Sequence, residues 1–142
     1  TWIRPDIVEA YAALYEAGYA HSVEVWDKAG DLAGGIYGVA IGKAFVTESM
    51  FARQADASKV GFVTLSYYLQ RWGFILNDGK RDSTHLRSLG FRPVPRTAYN
   101  ALLAKACAGP DRPGRWRIDP GLDLSRWKPG RKEPDGPDRS PL

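Results

Sequence analysis

The feature that most restricts the fold is a strand carrying three glycines. Residues 32–41 read as one extended run, yet Gly34, Gly35 and Gly38 lie inside it. Glycine weakens a strand interior, so such positions mark a bulge or a close approach by another part of the molecule. Turn residues flank the run, Lys28-Ala29-Gly30-Asp31 before it and Gly42-Lys43 after it. Ser22 to Trp26 alternates and predicts a preceding strand, and Ala44 to Glu48 predicts a following one. Two hairpin connections in succession make a meander.

Helices surround this meander. Pro5 suits a first helical position, with Asp6 and Glu9 at the positive helix start. Ile7, Tyr11, Leu14 and Tyr15 recur at helical spacing, and Gly18 is a natural stop. A long helix is predicted from Asp56 to Trp72, with Phe62, Leu65, Leu69 and Trp72 as its inner stripe and Gly73 as its end. Phe74-Ile75-Leu76 reads as a short apolar strand, broken by Asn77-Asp78-Gly79. Short helices should cover Ser83 to Ser88, ended by Gly90, and Arg96 to Lys105. The class is α/β (α+β), a mixed and mostly antiparallel sheet flanked by helices. Helix, meander, long helix, strand, helix is the order of the GNAT-like acyltransferase fold.

At 142 residues the chain fits one domain. Composition changes near Gly109: seven of the ten prolines lie beyond it, mixed with Asp, Arg and Gly. Few apolar residues remain there to offset ordering entropy. Residues 1–108 are therefore read as the domain and 109–142 as a poorly ordered tail. Trp116, Leu122, Leu124 and Trp127 are its docking candidates. No apolar run is long enough to span a bilayer. The first residues lack the basic and apolar blocks of a signal peptide. The chain starts on Thr1 and not on Met, so it is expected to begin inside a longer protein. The single cysteine, Cys107, excludes an intrachain disulfide and fits a reducing cytoplasm. The formal charge of +4 permits an RNA partner without requiring one.

Several residues invite a chemical reading, each beside a plainer one. Glu48, at the end of a predicted strand, is a pocket carboxylate or a surface residue. Asp78 begins a glycine turn, where it orients an incoming ammonium group or caps its own loop as an Asx-turn. Lys80 is a base with a depressed pKa, a cation pairing with Asp78 or a phosphate, or an exposed lysine beside Arg81. Ile36, Met50, Phe62 and Leu65 line an apolar pocket or are ordinary core. Ser58 and Lys59 open the long helix, where the dipole favours an anion such as an RNA end, or where Asp56 or Ser58 caps the helix. His21 and His85 are too few and too far apart to hold a metal, and His21, on the Val23/Val25 side of its strand, reads as a hydrogen-bonded core histidine. Single-stranded RNA is gripped by stacking and cations, for which Trp2, Trp26, Arg53, Arg87 and Arg96 are candidates by residue type alone.

Nine words in register resemble the C-terminal domain of the leucyl/phenylalanyl-tRNA–protein transferases. They begin with Thr1-Trp2-Ile3 and Glu9-Ala10-Tyr11, continue through 20–26, 34–40, Glu48-Ser49-Met50-Phe51 and Ala57-Ser58-Lys59, and end with Thr84-His85-Leu86, Ser88-Leu89-Gly90 and Val94-Pro95-Arg96. The resemblance covers about residues 1–105. It implies transfer of Leu, Phe or Met from an aminoacyl-tRNA 3′ end to a protein with a basic N-terminal residue, which creates a degradation signal. It implies Asp78 and Lys80 as catalytic positions. Glu48, Ile36, Met50, Phe62, Leu65 and Trp2 would bind substrate, and Ser58 and Lys59 the RNA end. No cofactor or metal is implied.

Three departures stand out. The family's Asp-x-Gln word reads Asp78-Gly79-Lys80, Thr47 replaces a usual glycine, and the family's N-terminal domain is absent from these residues. Three rivals remain open. One is a non-catalytic or altered-specificity relative that binds RNA ends or basic N-termini. Another is an acyl-CoA N-acetyltransferase, which the lack of glycine in 53–58 disfavours. The third is a peptidoglycan-type aminoacyl transferase.

Overall fold

The computed structural model describes residues 2–125 and 127. Four helices and four strands follow in the order α1 (Pro5–Glu16), β1 (Ala20–Trp26), β2 (Leu32–Ile41), β3 (Ala44–Ala52), α2 (Ala57–Arg71), β4 (Leu76–Asp78), α3 (Thr84–Ser88) and α4 (Arg96–Cys107). The sheet order is β1-β2-β3-β4. β1, β2 and β3 form the antiparallel meander, and β4 joins β3 in parallel, with Ala44 opposite Leu76 and Val46 opposite Asp78. The mixed, mostly antiparallel class and its element order agree with the sequence reading. No helix among the described residues is long and apolar enough to cross a membrane.

Alternation along β2 sets the layers. Ile36 faces α2, where its Cγ2 would lie 3.5 Å from a methyl placed on Gly61. Tyr37, one residue on, meets Tyr11 of α1 edge to face, with ring centroids 5.3 Å apart. The main core lies on the α2 side, built from Ile36, Ala40, Phe45, Leu65 and Leu69. Val23, Met50, Phe62, Phe74 and Trp116 pack around it. Gly34 makes room for α2, since a methyl there would fall 2.7 Å from Ala57 Cβ, whereas one on Gly35 would crowd the Val23 carbonyl and the Phe51 ring.

Four strand boundaries differ from the sequence expectation. β1 begins at Ala20, two residues early, and β4 runs through Asn77 and Asp78, which the sequence predicts to break the chain. The other two concern the end of β3 and the start of β4. β3 continues past Glu48 to Ala52, because the meander register carries on to Gly34 opposite Ala52. β4 begins at Leu76, two residues later than expected. The reason is the end of α2. Gly73 has a φ of 71°, Gly73 N–H donates to the Gln70 carbonyl, and Phe74 N–H donates to the Leu69 carbonyl. This is a Schellman stop, and it uses the Phe74 N–H that a strand would need.

The packed unit also extends beyond residue 108. Asp111 accepts a hydrogen bond from Gly42 N–H at 2.6 Å, Asp119 N–H donates to the Tyr68 hydroxyl at 2.6 Å, and Trp127 Nε1 donates to Gln70 at 3.2 Å. Trp116 stacks on His21 with centroids 3.6 Å apart. Composition sees few apolar residues here; it does not see that the indole of Trp116 joins the core. The remainder of the expected tail, 128–142, lies outside the described residues, as does Thr1.

Candidate active site

The β2–β3 ladder contains one extra residue. Tyr37 pairs with Ser49 and Gly38 with Thr47, which leaves Glu48 without a partner on β2. Only glycine fits opposite this bulge: a methyl on Gly38 would clash with the Val46 carbonyl and lie 2.6 Å from the Phe45 ring. The bulge re-aims Glu48, whose side chain is only 9% exposed and pairs with Lys80 Nζ. Glu48 is thus a buried carboxylate inside a strand, not a residue at a strand terminus.

Asp78 is the last residue of β4. Its Oδ1 accepts the Lys80 N–H at 2.7 Å, so the Asx-turn reading is realised, and the turn holds Lys80 at a φ of 65°. Its Oδ2 accepts the Tyr99 hydroxyl, also at 2.7 Å. That hydrogen bond, with burial, raises the Tyr99 phenol above its ordinary pKa. Burial lowers the Lys80 ammonium below its ordinary value. The expected side-chain pairing of Lys80 with Asp78 is replaced by pairing with Glu48; Asp78 holds Lys80 through its backbone. Lys80 Nζ also lies 5.8 Å from the Trp2 ring, and Trp2 meets Tyr11 edge to face at 6.5 Å.

A fork opens where β4 ends. β4 pairs with β3 only over Ala44–Val46, so beyond that no strand among the described residues lies on this edge of β3. Thr47 Oγ1 donates to Asn77 Oδ1 at 2.8 Å at the fork's apex. Glu48 and Lys80 face each other just past it. Met50, two residues past Glu48 on β3, has its Sδ 3.3 Å from His85 Nε2. Phe91 packs against Gly79 of the turn, and Met50, Phe62 and Phe91 are each half-buried. Phe62 and Phe91 touch with centroids 5.4 Å apart. On the far side of the 78–80 turn lies a cavity of about 410 Å³, which Asp78, Lys80, Leu86, Phe91 and Tyr99 help to line and Glu48 does not. Glu48 lies outside this cavity's lining, and Lys80, which helps to line it, reaches Glu48 through its ammonium.

The other sequence candidates are scattered. Ile36 and Leu65 sit in the closed core at 3% and 2% exposure, whereas Met50 and Phe62 keep open surface. Ser58 lies in the first turn of α2, near the end of β3 and away from the Glu48–Lys80 level. Lys59 pairs with Asp56 at 2.6 Å, and Asp56 makes no side-chain cap to the helix. His21 is buried, but its Nε2 has no hydrogen-bond partner, which differs from a fully bonded core histidine. Arg87 is bound to Asp82, Arg53 lies over Phe51, Arg96 over Tyr99, and Trp26 reaches Glu24. Among the described residues no group of three or more His, Cys, Asp or Glu is placed to hold a metal ion. Sequence reasoning missed Tyr99, Asn77 and Phe91. Tyr99 and Phe91 carry no local signal, because their partners lie across the fold; Asn77 belonged to a recognised turn but was read only as a breaker.

Comparison with known proteins places this geometry among relatives. Residues 1–104 match the family model described as leucyl/phenylalanyl-tRNA protein transferase. The leucyl/phenylalanyl-tRNA–protein transferase of Thiobacillus denitrificans is 50% identical over 119 residues, 84% of this chain and 52% of the relative. That of Alkalilimnicola ehrlichii is 51% identical over 123 residues, 87% of this chain and 48% of the relative. That of Stutzerimonas stutzeri is 53% identical over 104 residues, 73% and 46% of the two chains. The chain spans about half the length of the curated relatives it matches.

Proposed function

The chain belongs to the leucyl/phenylalanyl-tRNA–protein transferase family, and from that premise we propose that its fork is the place where an aminoacyl ester meets a protein N-terminus. The donor is the 3′ end of a tRNA charged with Leu, Phe or Met. The acceptor is the α-amine of a protein beginning with a basic residue, and the product is a degradation signal made in the cytoplasm. The amine nitrogen attacks the ester carbonyl, the ribose hydroxyl leaves with a proton, and a peptide bond replaces the ester. The ester is already activated, so positioning and charge placement supply most of the rate.

The observation that carries this reading is the Glu48–Lys80 pair held beside Asp78 at the mouth of the fork. Met50 and Phe62 offer apolar surface to the amino-acid side chain, backed by Ile36 and Leu65 in the core. An apolar wall separates homologous side chains by only about 1–3 kcal/mol per methylene, which suits acceptance of Leu, Phe and Met together. Each Asp78 oxygen accepts one hydrogen bond and keeps a further lone pair for the acceptor amine. Lys80, tied to a carboxylate, acts as a donor to developing negative charge more readily than as a base. Trp2, placed over Lys80, offers an aromatic face to the terminal base, and Ser58 and Lys59 offer an outer contact for the RNA.

A second reading, binding without transfer, is favoured by Lys80 itself. It occupies the position of the family's glutamine and engages Glu48, so a substrate amino group must displace it. Single-turnover assays with labelled leucyl-tRNA and an Arg-initiated peptide separate the two readings, using the protein at full length. Transfer should occur, and Asp78→Asn or Glu48→Gln should slow it about 100-fold or more. No transfer by the wild-type protein, restored by Lys80→Gln, would establish the second reading instead.

A further inference from the structure

The cavity lined by the 78–80 turn carries three arginines that the transfer step does not use. Lys80, Arg81, Arg92 and Arg96 line it with Asp78 and Asp82. Glu48 takes the Lys80 ammonium, and Arg87 takes the Asp82 carboxylate. Arg81, Arg92 and Arg96 are exposed and enter no ion pair among the described residues. Against these three guanidiniums stands one carboxylate without a side-chain cation, Asp78, already bonded to the Lys80 N–H and the Tyr99 hydroxyl. The floor is apolar: Leu76, Leu86, Phe91 and Leu102.

We infer that this cavity binds the phosphate backbone of the single-stranded RNA leading to the aminoacylated end, with a base laid against Phe91. For the identity of that strand the inference rests on the function proposed above. Unpaired guanidiniums around an apolar, aromatic floor match a ligand that alternates phosphates with flat bases. A basic protein N-terminus meets three unpaired guanidiniums there against the single carboxylate of Asp78, so the acceptor reaches Asp78 from the fork side. The 78–80 turn is the wall common to cavity and fork. A strand lying in the cavity therefore delivers its terminal ribose to Lys80 and Glu48 after crossing one turn. Arg92 and Arg96 act in this scheme as positioning residues, holding the donor and touching none of the reacting atoms.

The test measures binding of the trinucleotide CCA to the full-length protein across a salt series, with inorganic phosphate, adenosine and an acidic peptide as competitors. Transfer from charged tRNA and from phosphate-free aminoacyl-adenosine is measured in parallel. Arg92→Ala/Arg96→Ala should weaken CCA binding at least tenfold. It should flatten the slope of log K against log salt by about 0.7 for each phosphate that the variant no longer neutralises. The Lys variants at both positions should keep most of that slope. The loss of transfer should be about tenfold larger for charged tRNA than for aminoacyl-adenosine. An unchanged slope in the Ala variant would overturn the inference. So would displacement of CCA by inorganic phosphate or the acidic peptide at comparable concentration, or equal losses on the two donors. Arginine-dependent CCA binding by a protein that transfers nothing would leave the inference standing and remove the function above it.

Discussion

Glu48 shows how one inserted residue makes a site. In a regular ladder β3 would continue without interruption past β2; the bulge opposite Gly38 gives Glu48 a place of its own beside Lys80. Gly38→Ala should therefore cost about 1–3 kcal/mol in urea denaturation, since the methyl overlaps Val46 and Phe45. It should also uncouple the Glu48–Lys80 pair; an unchanged midpoint would contradict the account of the bulge. Tyr99→Phe removes one hydrogen bond from Asp78 and nothing else from the backbone. Bonds to charged groups are worth about 1.5–3 kcal/mol. Transfer should fall about tenfold with circular dichroism unchanged, and transfer at the wild-type rate would show that Asp78 needs no such support. His21 makes a third case. Burial pulls its pKa from 6.5 to about 4. Between those values the unfolded chain binds more protons than the folded one, so stability declines as pH falls through that window and is flat above it. The wild-type urea midpoint should drop more steeply from pH 6.5 to 4.5 than that of His21→Phe; parallel curves would contradict the burial of a neutral imidazole.

At the scale of elements, what could be read from sequence was punctuation and period. Gly18, Gly73 and Gly90 mark helix ends, and all three helices stop in the same hydrogen-bond pattern. Alternation and turn residues located the meander. Boundaries slipped where one backbone group had two claimants, as at Phe74, whose N–H caps α2 and so delays β4. The segment after Gly109 was legible only as composition. Its energy resides in a few aromatic packings: Trp116 stacked on His21 and set near Phe45, Trp72 and Phe74. Full burial of a tryptophan is worth about 3–5 kcal/mol against alanine. Trp116 is half-buried, so Trp116→Ala should cost about 2–3 kcal/mol. A loss below about 0.5 kcal/mol in thermal or urea unfolding would mean that the segment does not belong to the cooperative unit.

At the scale of the whole molecule, the residue types of the site were legible and their connections were not. Asp78, Lys80 and Glu48 stood out because the family resemblance marks their positions; by residue type alone each read as an ordinary loop or surface charge. That Lys80 joins the other two, and that Tyr99 braces Asp78 from another helix, depends on long-range contacts that no local pattern encodes. The fork itself follows from topology: a three-residue parallel strand beside a nine-residue one leaves most of an edge without a paired strand among the described residues. The central claim is that this fork holds the aminoacyl end. It is tested most directly by a crystal structure of the full-length protein with a non-hydrolysable leucyl-adenosine analogue. The expected density places the leucine side chain against Met50 and Phe62, with its amino group and ribose within hydrogen-bond reach of Glu48, Lys80 or Asp78. An analogue bound elsewhere, with Glu48 and Lys80 still paired and the fork empty, would contradict it.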